Sequence, residues 1–131
     1  MRNFILGFVF IVFAIGVQAQ KDNTITTFEQ INVVNNHVEE AKYYYQNNWK
    51  VLRDMALEKE YIDSYNLLFS EEGEVPHFIL LTSYKNKEQF DSRESHFSEL
   101  IASLGDLKLL NDIQPSDFRK SVFGSEAMIV L

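Results

Sequence analysis

The chain has 131 residues, no cysteine, one tryptophan and eleven phenylalanines, with 19 acidic side chains against 12 basic ones. One domain fills that length, and the acidic excess argues against nucleic-acid or anionic-membrane partners, since both would be repelled. The lack of cysteine excludes a disulfide framework, thiol catalysis, a cysteine zinc site and a lipid-anchored N-terminus.

Met1 to Ala19 reads as a cleavable signal peptide. Arg2 gives the positive start, Phe4 to Val17 is apolar except for Gly7 and Gly16, and Val17 and Ala19 stand where a signal peptidase reads. The apolar stretch is short for a membrane span and lacks a basic stop. Cleavage would leave one domain, residues 20–131, with 11 basic against 19 acidic side chains. The expectation is a periplasmic or secreted protein with no stable membrane association after cleavage. An uncleaved N-terminal anchor is the alternative.

Ile25 to Val34, rich in Thr, Val, Ile and Phe and closed by Asn35-Asn36, is the first expected strand. From His37 to about Glu60 the period becomes helical. Val38, Ala41, Tyr45, Trp49, Leu52 and Ala56 fall on one stripe, and Glu39, Lys42, Gln46, Lys50 and Arg53 largely on the other side. Tyr61 to Ser70 alternates as a strand, Glu71 to Glu74 turns at Gly73, and His77 to Tyr84 is a third strand, apolar on both faces. Asn86 and Gln89 make a capping-box pattern. The helix behind them carries Phe90, Phe97, Leu100, Ile101 and Leu104 inward, with an interruption at Glu94-Ser95, and Gly105 ends it in a left-handed cap. In Asp106 to Ser121 the leucines and Ile113 call for burial, and Ala127 to Leu131 is a short final strand.

The order βαββαβ, with a central hairpin, is an α+β, ferredoxin-like arrangement with an antiparallel sheet. Two helices cover only one face of four strands, so the two-sided apolar third strand calls for something on the other face. A second copy of the chain, forming a homodimer, is the economical answer. The segment Phe78 to Phe90 (FILLTSYKNKEQF), with Ser95-His96-Phe97 and the Trp49 helix, resembles the dimeric α/β-barrel superfamily of antibiotic-biosynthesis monooxygenase-like and stress-responsive barrel proteins. That resemblance implies pairing of two sheets into a barrel. It also implies, for the monooxygenase branch, cofactor-independent oxygenation.

His37, His77 and His96 show no paired ligand spacing, so no metal is expected. Nucleophile elbows and Gly-rich phosphate loops are missing, and no cofactor is expected. Haem-degrading members of the superfamily use an Asn on the first strand plus a Trp and a His on the second helix. Asn32 fits the first place, but the second helix lacks Trp and places His96 near its middle. The aromatic set Tyr45, Trp49, Tyr65 and Tyr84 either lines a pocket for a small apolar or aromatic ligand or simply fills a core. His96, Asn32 and Arg93 are the candidate polar groups near such a pocket's mouth. Three readings stay open: a non-catalytic ligand-binding domain, a monooxygenase-like enzyme, and a surface interaction module without a cavity.

Overall fold

The computed structural model describes residues 23–129 and 131. The signal-peptide expectation lies outside the described residues. The order is β1 (Ile25–Val33), α1 (Val38–Tyr44), a π-helical turn (Tyr45–Trp49), α2 (Lys50–Glu58), β2 (Ser64–Ser70), β3 (His77–Tyr84), α3 (Lys87–Asp91), α4 (Arg93–Leu104), α5 (Pro115–Phe118) and β4 (Arg119–Ile129). The four strands form one antiparallel sheet in the order β2-β3-β1-β4. Among the described residues, no helix is long and apolar enough to cross a membrane.

Asn35 and Asn36 follow β1 with φ of 61° and 58°, a left-handed pair that Asn tolerates better than most residues and that turns the chain into α1. At the other end of this helical stretch Glu60 also takes positive φ, and Tyr61 N–H closes on the Ala56 carbonyl at 2.8 Å. That closure delays the strand: Asp63 N–H is the first to reach β3, donating to the Ser83 carbonyl at 2.8 Å, and β2 starts at Ser64 and not at Tyr61. Asn86 caps α3, its Oδ1 accepting from Gln89 N–H at 2.9 Å. The return leg of the expected box goes elsewhere: Gln89 Oε1 accepts from Lys85 N–H and its Nε2 donates to the Glu60 carbonyl. The interruption between α3 and α4 falls at Ser92, two residues before the expected place. Gly105 takes φ 76° and ψ −139°, a region outside the left-handed helical cap and open only to glycine.

Alternation on the strands separates two faces. Phe78, Leu80, Thr82 and Tyr84 are buried under the helices, with Ile31 and Val33 beside them. Beneath α1 and the π turn, Ile31, Val33, Ala41, Tyr45, Phe78, Leu80 and Phe118 form one core cluster, while Ala56, Ile62, Tyr84 and Leu100 form a separate one under α2 and α4. Phe28, Leu68, Ile79, Leu81, Phe123 and Met128 alternate onto the opposite face. Leu68 is 50% and Phe123 58% exposed there.

Strand β4 is much longer than the expected Ala127–Leu131. It is an edge strand with two register shifts against β1, and each shift breaks the period of two by which a strand is recognised. The 106–114 segment lies on the helix side. Asn48 Nδ2 donates to the Lys108 carbonyl, and Lys108 N–H donates back to Asn48 Oδ1, both at 2.8 Å. Ile113 packs against the first cluster, whereas Leu107 is exposed, against the expectation of burial.

Candidate functional site

Between the two core clusters the layer under the helices opens into a cavity of about 580 Å³. Its floor is β1, β3 and β4, where Thr27, Thr82 and Gly124 offer short side chains or none. Its walls are Trp49, Arg53 and Phe97 from the π turn, α2 and α4. Small residues below and aromatic ones above leave space that a Leu or Phe on the floor would have filled.

Arg53 is the centre of this site. Its guanidinium packs against two rings, with Cζ 4.4 Å from the Trp49 centroid and 4.3 Å from that of Phe97. Nε donates to Thr82 Oγ1 at 3.2 Å, the side chain of a fully buried threonine whose carbonyl accepts from Thr27 Oγ1. Burial pulls the guanidinium down to about 10, against the favourable fields of Tyr84 and Glu29, so it stays charged at neutral pH. Among the described residues, Arg53 has no carboxylate within ion-pair distance. Burial pushes the Tyr84 phenol up, with Arg53 and Arg93 pulling the other way. Arg93 caps one side of the cavity, its Nη1 donating to the Phe90 carbonyl at 3.0 Å and its Cζ 3.9 Å from the Phe90 ring. Glu29 and Glu94 stand exposed at the rim, Glu29 accepting from Ser121 Oγ at 3.2 Å.

Of the residues singled out from the sequence, Trp49, Tyr84 and Arg93 line this cavity. Tyr45 does not. It is buried in the first core cluster, 4.6 Å from the Phe78 ring, where burial pushes its phenol up to about 12. Tyr65 packs edge-on to Trp49 at 5.6 Å, with its hydroxyl donating to Asp54 outside the cavity lining. Asn32 stands on the sheet face opposite the helices, opposite His77 and Lys120 in register, with a buried Oδ1 that has no hydrogen-bond partner among the described residues. His96 looks away from the cavity into a separate depression beside Asn86 and Gln89. There it stacks on Tyr61 at 3.7 Å, and Glu99 ties Tyr61 to Lys59. Asn32, His96 and Arg93 therefore do not converge. Among the described residues, no group of three His, Asp or Glu side chains is arranged to hold a metal ion.

The residue that a single helical period misplaces is Arg53, which belongs to the outer stripe of an uninterrupted α-helix. The π turn changes that. A turn closed by i→i+5 bonds, such as Lys50 N–H to the Tyr45 carbonyl, holds more residues than an α turn and sets back the phase of everything after it. Arg53 is thereby rotated inward. The local cause is legible in Asn47 and Asn48. Their side-chain amides donate to the Tyr43 and Tyr44 carbonyls at 2.8 and 2.9 Å, acceptors that in an α-helix belong to the backbone N–H groups of those same residues. An Asn pair in the middle of a helical stretch was the available signal. No protein-family model matches the chain, and neither do the curated proteins or the solved structures.

Proposed function

We propose that the chain is an exported binding domain that takes a small, flat, largely apolar ligand in the cavity between sheet and helices. The observation that carries this reading is the break in the core itself: two packed clusters flank a hollow walled by Trp49 and Phe97. Binding is favoured over turnover because His96 and Asn32, the groups that a monooxygenase-like reaction would have used, face elsewhere. The chain's only tryptophan stands in the cavity wall, so its fluorescence reports occupancy. Titration with 1,4-naphthoquinone should change that fluorescence saturably, and Trp49→Phe should abolish the signal. A linear, unsaturable response in the wild-type protein would sink the reading.

The scaffold is read as ferredoxin-like, paired face to face with a second copy as the dimeric α/β-barrel superfamily pairs. The strand order β2-β3-β1-β4 and the element order support the first part. For the second, Leu68 and Phe123 are exposed on the face away from the helices, and the 106–114 segment is tied to the helix side, where it cannot cover them. Sedimentation should give about twice the chain mass at micromolar concentration. Phe123→Asp should halve that mass while keeping the circular-dichroism spectrum, because the side chain is already more than half exposed in the single chain. A wild-type monomer would remove the pairing and leave the cavity reading untouched. Export is supported by the leader-like Met1 to Ala19, and intact mass of secreted material should place Gln20 first.

A further inference from the structure

The geometry around Arg53 narrows the chemistry of the ligand, given that the cavity binds one as read above. A guanidinium has two flat faces and an edge of five N–H donors. Here Trp49 and Phe97 each lie against the guanidinium, and Nε is committed to Thr82. The two outer nitrogens make no hydrogen bond among the described residues, and the side chain lines the cavity. A charge held this way has lost much of its water and makes no ion pair among the described residues, while its donors are fixed in direction before anything binds. A planar group with two acceptor oxygens and one negative charge matches that edge, and a carboxylate is such a group. We propose that the cavity takes an aromatic carboxylate, its two oxygens on the outer nitrogens of Arg53 and its ring along the Trp49 and Phe97 wall.

The rest of the lining sets limits consistent with this. Glu29 and Glu94 at the rim oppose negative charge in proportion to how much a ligand carries, so phosphate esters and dianions are disfavoured relative to a monoanion held on Arg53. A volume of about 580 Å³ accommodates two or three fused rings. Thr27 and Thr82 give a floor with little apolar bulk, on which a carboxylate is less penalised than on Leu or Phe.

Calorimetry with 2-naphthoate and its uncharged counterpart 2-naphthamide tests the proposal on the full mature chain. The wild-type protein should prefer the carboxylate by at least about tenfold, since the amide leaves the fork's charge unmatched. Arg53→Gln should bring the two affinities together by weakening the carboxylate and sparing the amide. Arg53→Lys keeps the charge but loses the fork, and should lower the preference severalfold even if the Gln variant fails to fold. Equal binding of both compounds by the wild-type protein would overturn the carboxylate assignment and leave the cavity reading standing. A preference that survives both substitutions would also overturn it, by moving the anion site off Arg53. Binding of neither compound would overturn this proposal, and together with a failed naphthoquinone titration it would remove the cavity reading too.

Discussion

Toward Val33 and Phe118 the layer between helices and sheet is solid, whereas around Thr27 and Arg53, before the second packed cluster is reached, the same layer is hollow. One helical stretch, residues 38–58, runs over both regions, joined by α5 at the first and by α4 at the second, and the underlying strands β1 and β3 run through both. What differs is the floor. Ile31, Val33 and Phe78 stand up at the solid end and meet Tyr45 and Phe118, both within 1% of complete burial, and Leu80 borders both regions. At the hollow end the same strands present Thr27 and Thr82, β4 presents Gly124, and the residue reaching down is a charged arginine. A cavity in a small domain thus needs no special fold. It needs a few short side chains under a wall that cannot collapse, and a guanidinium packed against two rings keeps that wall propped.

The comparison is sharpest where a side chain is removed. Phe118→Ala at the solid end should cost about 3–5 kcal/mol in urea denaturation. A loss under about 1 kcal/mol would mean that this end is no better filled than the other. Next comes alkaline pH. The Tyr45 phenol is pushed up to about 12 from its ordinary 10, so the unfolded chain ionises first. Its contribution is intact below pH 10 and is lost as pH climbs toward 12, roughly 2–3 kcal/mol in all. Tyr45→Phe should flatten that part of the stability–pH curve, and an unchanged slope in the variant would place the effect elsewhere.

Changes at the hollow end should be smaller. Thr82→Val strips the acceptor from Arg53 Nε while keeping shape, and should cost about 1–3 kcal/mol through the unpaired donor. Arg53→Met removes the charge together with its unmet demand for partners, and should leave stability within about 1 kcal/mol of wild type in either direction. A Thr82→Val/Arg53→Met double variant should then lose less than the sum of the two single losses, because each removes the same bond. A loss from Arg53→Met as large as that from Phe118→Ala would erase the distinction between the two ends.

Much of the fold was legible because its signals are local. The β3 limits at His77 and Tyr84, the Asn86 cap, the turn at Gly73 and the inward stripe from Ala41 to Tyr45 all follow from period and turn chemistry. Strand β4 was legible only at its end, since its register shifts hide the alternation and most of its residues stay exposed on an edge. The site was legible in part. Trp49, Tyr84 and Arg93 were within reach of pattern reasoning, because an aromatic at a strand end and a basic group at a helix start are visible as residue types. Tyr45 had the same visibility but belongs to the solid end, which only packing decides. Arg53 was hidden by an assumption of constant period, and Thr82 looks like any strand threonine until a donor is found above it.

The π turn makes the inner face of α2 a matter of angular phase as well as of residue identity. Whichever side chains follow Trp49, the rotation imposed by Tyr45–Trp49 selects which of them look down at the sheet and which look out at water. Two amides that never touch the cavity, those of Asn47 and Asn48, help to hold that setting, and Asn48 also clips the 106–114 segment against it. The turn therefore acts as a keying element. Substitutions there would re-address the cavity by presenting a different edge of the same helix, so residues 47 and 48 are the places to alter what the pocket offers without redesigning its walls.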